Sequence, residues 1–265
     1  MMKNKNILVI GGSSGIGLAL VTLLSPDNNV YVASRSNEGI AGLKVNYIPF
    51  DATKDTIDTS LLPETLDGFV YCPGSINLRP FKGLKIEAFT DDFEINVMGA
   101  IKSLKSVLGL LQASAKASVV FYSTVAVQTG MPFHSSISAS KGAIEGLTRS
   151  LAAEFAPKIR VNAIAPSIVD TPLASKFLNN DIKMEKANER HPLGRIGTAE
   201  ELADVTAFLL GDQSSWITGR ILQIDGGIGN LKLEYKDHAD VEFLSMEEYW
   251  NISKKILNKF GKNID

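Results

Sequence analysis

Ile7-Leu8-Val9-Ile10-Gly11-Gly12-Ser13-Ser14-Gly15-Ile16-Gly17 reads as a buried strand running into a glycine-rich turn. Consecutive aliphatic residues suit a strand covered on both faces, and the glycines then turn the chain into an apolar helix. Gly11 permits the tight turn, Gly15 lets the backbone approach a ligand, and Gly17 allows close helix–strand packing. A pyrophosphate would sit there, at the positive end of the helix dipole, with Ser13, Ser14 and Ile16 completing the cradle. The spacing is Gly-x-x-x-Gly-x-Gly, not the commoner Gly-x-Gly-x-x-Gly. A glycine-rich turn alone is weak evidence, since many loops carry glycine; its place directly after a buried strand gives it weight.

Composition limits what surrounds this stretch. With 265 residues, 45% of them apolar, the chain can bury one large core. Strands alternating with helical patterns then argue for a single α/β domain. A net charge of −2 without a long basic run argues against a nucleic-acid or anionic-membrane surface. Cys72 is the only cysteine, so no internal disulfide forms, which suits a reducing compartment. The apolar run after Lys3 and Lys5 is too short for a signal-peptide core, and no stretch approaches a membrane span. The expectation is a soluble cytoplasmic protein with no metal site, internal repeat or low-complexity segment.

Leu18–Leu24 continues the first helix until the turn formers Ser25-Pro26-Asp27-Asn28-Asn29, and Val30–Ala33 reads as the second strand. In a dinucleotide fold that strand ends at the adenosine ribose, where an acidic side chain would bind both hydroxyls and repel a 2′-phosphate. Ser34-Arg35-Ser36 stands here instead. A guanidinium beside two hydroxyls suits a phosphate and favours NADP(H) over NAD(H), although an exposed arginine is often only a solvated charge. The next strand, Val45–Phe50, follows too soon for a full crossover helix. After it, the Asp51 carboxylate of Asp51-Ala52 either meets the adenine amino group or caps a turn.

Gly68–Cys72 is the fourth strand and ends in Pro73-Gly74, where backbone can run close to a ligand. Phe89, Phe93, Val97, Ile101, Leu104 and Leu108 then share one helical face. Asn96 interrupts that interior, its amide either bonded to backbone or holding an ordered water in a proton path. Ala117–Tyr122 is another buried strand, with Ser123-Thr124 at its carboxyl end, where open α/β sheets bind ligands.

Several segments in order, among them Gly11–Gly17, Asp51, Asn96-Val97-Met98-Gly99, Ser123-Thr124, Ile137-Ser138-Ala139-Ser140-Lys141, Arg160–Pro166, Thr171-Pro172 and Thr218–Gly227, resemble the short-chain dehydrogenase/reductase family over most of the chain. The resemblance implies a Rossmann-type, doubly wound, seven-stranded parallel sheet, a nicotinamide cofactor, and a homodimer or homotetramer acting on a small molecule. It also implies a catalytic Asn–Ser–Tyr–Lys set that includes Asn96 and Lys141. Cofactor contacts would extend to Ala52, Cys72, Pro73, Gly74, Pro166, Ser167, Ile168 and Thr171. Asp225-Gly226-Gly227 would lie near subunit contacts.

The departures matter as much. The family's tyrosine lies four residues before the lysine and its serine thirteen before the tyrosine, which gives Ile137 and Thr124 here. Ile137 can neither give nor take a proton, so Lys141 keeps its ribose-binding task and loses its phenol partner. Ile10, Tyr71-Cys72-Pro73-Gly74 and Ser167 also differ from the usual residues, and Pro73 removes a backbone donor. Three readings of Ile137 follow. It covers an unused pocket in a cofactor-binding, catalytically inactive subunit or assembly partner. Alternatively His134, seven residues before Lys141, donates the proton, as a tyrosine at that spacing does in relatives resembling enoyl-thioester reductases; a histidine beside Ser135 and Ser136 is otherwise an ordinary turn residue. Or carbonyl reduction proceeds slowly, with water or Thr124 completing the path, and forfeits much of an acid–base contribution of roughly 10²–10⁴-fold.

Ile159–Ala165 is the sixth strand, and Pro166-Ser167-Ile168-Val169 begins a loop over the nicotinamide carboxamide. Thr171 would contact that amide or the phosphates. Leu173–Glu189 would form a mobile substrate lid, with Phe177 and Met184 as apolar contacts or as packing against the body. Thr198 caps a helix that runs on through Leu202–Leu210, and Arg220–Asp225 is the last strand. Residues 1–227 would then be the nucleotide-binding domain and 228–265 an extension. Tyr249, Ile252, Ile256 and Phe260 mark an amphipathic helix in it, with Trp250 as an anchor.

Overall fold

A computed structural model describes residues 2–232, together with Trp250 and Lys254. Met1–Leu231 forms one compact unit and Lys232–Asp265 a second. In the second, Trp250 and Lys254 are both helical, with the ammonium 5.8 Å from the indole centroid. Tyr249, Ile252, Ile256 and Phe260 lie outside the described residues.

The first unit holds seven strands: β1 (Asn6–Ile10), β2 (Asn29–Ser34), β3 (Asn46–Pro49), β4 (Gly68–Tyr71), β5 (Ala117–Tyr122), β6 (Ile159–Pro166) and β7 (Ile221–Ile224). All pair in parallel in the order β3-β2-β1-β4-β5-β6-β7. The connections reverse direction between β1 and β4, which opens a crevice beyond the carboxyl ends of those two strands. The helices are α1 (Gly15–Leu24), α2 (Ile86–Phe93), α3 (Gly99–Ala113), α4 (Ala126–Thr129), α5 (Ser135–Phe155), α6 (Asp181–Glu189) and α7 (Ala199–Leu210).

Strand side chains alternate between two cores. Leu8, Ile10, Phe69, Tyr71, Val119 and Phe121 point toward α3 and α5, and Phe69 meets Phe121 edge-on at 6.5 Å. Ile7, Val9, Val32, Val70, Val120 and Ile164 point the other way, against Leu20, Val21 and Leu24 of α1 and Leu202, Leu209 and Leu210 of α7. Burial on both faces explains the unbroken aliphatic runs of β1 and β5. The short link from β2 to β3 contains only a single 3₁₀ turn, Glu38–Ile40. Thr198 caps α7 with a full capping box, its hydroxyl accepting from Glu201 N while the Glu201 carboxylate accepts from Thr198 N.

One expectation fails instructively. Phe93 is 42% exposed, whereas Asp92 beside it is fully buried. Between α2 and α3 the chain makes a wide π turn, Glu94–Met98. The extra residue in that turn rotates the α2 face relative to α3, so a stripe extrapolated at constant helical pitch assigns the wrong residue to the core. Asn96 sits in the turn itself.

Candidate active site

The turn after β1 is built as its glycines require. Gly11 has φ +76°, and a Cβ there would lie 3.0 Å from the Pro73 ring of the loop after β4. A Cβ on Gly17 would run into the Gly11 carbonyl oxygen, with Gly12 Cα at 3.0 Å. The turn and the first residues of α1 therefore close on each other without side chains between them. Ser13, Ser14, Gly15 and Ile16 line a cavity of about 1050 Å³. Ser14 is the N-cap of α1 and makes no side-chain capping bond. Because an added methyl must push the turn open, Gly17→Ala is expected to weaken binding of a nicotinamide dinucleotide at least about tenfold, beside an overpacking cost of about 1–3 kcal/mol. Fluorescence titration with NADH and NADPH, read against the melting temperature, checks this. Unchanged affinity would show that the turn is not the cradle.

At the adenosine end, Arg35 and Ser36 are exposed and line the same cavity. Arg35 forms no ion pair among the described residues. Ser34 is buried and has committed its hydroxyl proton to the Ser36 carbonyl at 2.9 Å, which shapes the turn and removes Ser34 as a phosphate donor. Asp51 and Ala52 also lie on the wall. The Asp51 carboxylate accepts from Thr53 N at 3.0 Å and Thr53 Oγ1 at 2.8 Å, and these bonds hold it below its ordinary range. Its Oδ1 caps a turn, while Oδ2 lies 3.6 Å from Lys54 Nζ.

The reacting end gathers residues from α5, β5 and the loop after β4. Lys141, buried on α5, donates from Nζ to the Tyr122 carbonyl at 2.8 Å. Burial lowers its ammonium to about 8, against smaller raising effects of Cys72 and Asp92. Loss of solvent raises the Cys72 thiol, on the same wall, to about 12. Gly74 lies between two polar groups: a Cβ on it would sit 3.2 Å from Asn96 Oδ1 and 3.6 Å from Lys141 Nζ. Asn96 Nδ2 has the Asp92 carbonyl at 2.8 Å, Ser75 Oγ at 3.1 Å and Ser140 Oγ at 3.3 Å. Its buried Oδ1 has no partner among the described residues. The amide thus fixes the π turn with its nitrogen and keeps an acceptor beside Lys141.

Thr124 Oγ1 accepts from Ala126 N at 3.3 Å, so its proton is not used by that bond. Ile137 is only 4% exposed, one turn before Lys141, and forms part of the cavity wall. His134, the N-cap of α5, lines the cavity with Nδ1 bonded to the Pro132 carbonyl at 2.7 Å, which places the ring proton on Nδ1. Pro166, Ser167, Ile168 and Thr171 complete the wall beyond β6. The Pro166 carbonyl accepts from Val125 N, and Thr171 approaches Gly15 so closely that a Cβ there would touch it at 3.4 Å. Phe177 lines the cavity, but Met184 packs on Ala174, Leu178 and Ile196, so its role is to seat α6 on the body.

Two polar groups here escape a motif reading. His191, 3% exposed, bonds the Ala187 carbonyl through Nδ1 at 2.6 Å and Ser167 Oγ through Nε2 at 2.9 Å. Asp92 is fully buried; Oδ1 accepts from Ser75 at 2.5 Å and Asn77 at 2.7 Å, while Oδ2 has no partner among the described residues. Serine at position 167 was one available signal for the first. A carboxylate four residues before Asn96 was one for the second.

The chain has relatives among known proteins. A family model described as Enoyl-(Acyl carrier protein) reductase matches residues 44–229. A 2,5-dichloro-2,5-cyclohexadiene-1,4-diol dehydrogenase of Sphingobium indicum is 34% identical over 243 residues, covering 85% of this chain and 97% of its own. L-xylulose reductase of Bos taurus is 32% identical, with 85% and 97% covered. Among solved structures, Levodione Reductase superposes with a TM-score of 0.79 at 26% identity, covering 88% of this chain and all of its own. A variant of Actinorhodin Polyketide Ketoreductase with NADPH gives 0.77 at 25% identity, covering 87% and 100%. Sheet order, glycine turn and these relatives converge: the chain belongs to the short-chain dehydrogenase/reductase family of oxidoreductases.

Proposed function

We propose that the protein is an NADP(H)-dependent reductase of a carbonyl or enoyl group on a small molecule, working without the family's tyrosine. The observation that carries this reading is one continuous cavity, lined at one end by the glycine turn and Arg35 and at the other by Thr124 and Lys141. The side-chain-free cradle at Gly11 and Gly17 fits a dinucleotide pyrophosphate, and the unpaired Arg35 guanidinium fits a 2′-phosphate. Glu38 and Asp51 also line that end and oppose the phosphate, but Asp51 is paired with Lys54 at 3.6 Å, which leaves Arg35 against Glu38.

A bound nicotinamide supplies the hydride. Lys141, held by the Tyr122 carbonyl, retains N–H groups for ribose hydroxyls. Thr124 retains its hydroxyl proton to orient a substrate oxygen, and Ile137 excludes water where the phenol would stand. Both nitrogens of His191 are engaged, whereas Nε2 of His134 has no partner among the described residues. His134 is accordingly the imidazole assigned to proton donation: as the imidazolium it would give the Nε2 proton to substrate and keep Nδ1–H on the Pro132 carbonyl.

NADPH is expected to bind at least about tenfold tighter than NADH, through a charge-assisted contact. Arg35→Ala should erase that preference and leave NADH affinity unchanged. Parallel titrations of both proteins with both nucleotides measure this. Equal affinities in the wild type would remove the NADP(H) assignment, and no binding of either would remove the reductase reading.

A further inference from the structure

We propose that the cavity takes a substrate bearing a carboxylate or phosphate, held by Lys186 and Arg190 on the α6 segment. This rests on the reductase reading and adds the charge class of its substrate. Lys183, Lys186 and Arg190 line the cavity, whereas Asp181, Glu185 and Glu189 of the same segment do not. The carboxylates on the cavity wall are Glu38 and Asp51, both at the adenosine end. The α6 wall therefore presents only positive charge to the space, in a chain whose net charge is −2.

The helix bears a local cost for this arrangement. Five pairs of its charged residues stand three or four apart: Asp181/Glu185, Lys183/Lys186, Glu185/Glu189, Lys186/Glu189 and Lys186/Arg190. Only Lys186/Glu189 joins opposite signs, and none of these residues makes an ion pair among the described residues. Like charges at these spacings destabilise a helix, and a merely solvated surface helix gains from the reverse pattern. Segregation of sign at the wall of a cavity instead provides a focused positive field for an anion. Met184 and Ala187, packed against the body, fix which face turns inward.

Within the row the residues differ. Lys183 donates to Asn179 Oδ1 at 2.8 Å and contacts the Lys176 carbonyl at 3.4 Å, which anchors the start of the helix. Lys186 and Arg190 have no such side-chain bonds among the described residues. A planar guanidinium beside an ammonium suits two oxygens of one carboxylate or phosphate. The pyrophosphate has its own seat at the start of α1, so the α6 pair remains for the second ligand.

The test uses the full chain loaded with NADP⁺ and two matched pairs of probes. 4-Oxopentanoate is compared with its methyl ester, and dihydroxyacetone phosphate with dihydroxyacetone, by isothermal titration calorimetry. At least one anion should bind about tenfold or more tighter than its neutral match. The pair that shows the difference identifies carboxylate or phosphate, and rising salt should shrink it. In the Lys186→Gln/Arg190→Gln double variant the preference should vanish, while NADPH affinity stays within error and the melting temperature does not fall. Equal binding within both pairs, no binding of any probe to cofactor-loaded protein, or an equal loss of NADPH affinity in the variant would each overturn the proposal. Failure to bind NADP⁺ at all is a different result, and refutes the reductase reading instead.

Discussion

Lys141→Met should yield a protein that is more stable at pH 7 and no longer binds NADPH tightly. The ammonium of Lys141 is buried, and desolvation lowers it from an ordinary 10.5 to about 8. In the unfolded chain the same lysine keeps its proton to roughly 10.4. Between these values the unfolded state binds more protons, so stability rises with pH through this window. Below about pH 8 the folded state carries the full cost of a charge out of water. The difference of about 2.5 pH units corresponds to an upper bound of about 3 kcal/mol. Methionine removes that cost but leaves the Tyr122 carbonyl without its donor, which returns about 1–2 kcal/mol. The net expectation is a gain of about 1–2 kcal/mol at pH 7, reversing sign by about pH 10. Urea denaturation of both proteins at the two pH values tests the crossing, and parallel NADPH titrations test the lost ribose contact. A variant less stable at pH 7, with the same pH dependence as the wild type, would refute the account.

Ile137→Tyr should raise turnover by about 100-fold or more, the contribution expected of a positioned acid. Ile137 already lines the cavity one helical turn from Lys141, and Thr124 is on the same wall. A phenol there would meet an ammonium that lowers its pKa, with a hydroxyl available to orient a carbonyl. The ring is larger than the isoleucine it replaces, so about 1–3 kcal/mol of stability is lost. NADPH oxidation over a panel of ketones and aldehydes, measured for both proteins, gives the ratio. A rise shows that His134 does not fully replace a phenol at position 137 and that the rest of the machinery is intact. No rise in a folded variant that still binds NADPH would mean that the rest of the site is not arranged for carbonyl reduction.

The glycine turn, the seven strands and the cap of α7 are legible in the sequence because each depends on residues within a few positions. Gly17 needs only Gly11 and the start of its own helix; Thr198 needs only Glu201. Phe93 was misplaced because the π turn changes the helical pitch locally, and nothing in the spacing of apolar residues marks where it does so. Sequence alone leaves the Ser34 hydroxyl free for a phosphate, whereas the fold gives its proton to the Ser36 carbonyl. His191 and the inward row of α6 acquire meaning only from tertiary placement. Their neighbours across the cavity, Ser167 and the glycine turn, stand far away in the chain.

Pro73 gives the crevice unequal sides. Its ring wedges against Gly11, joining the loops after β1 and β4 through a residue that has one fixed dihedral and no N–H to exchange. Across the opening, the segment leading into α6 reaches the loop after β4, among the described residues, through one lysine bond, Lys176 Nζ to the Ile76 carbonyl at 2.8 Å. The floor is a rigid anvil; the roof is seated by Met184 and by the His191–Ser167 bond, and reaches the floor through that latch. A cofactor seated on the floor would find its mould already set.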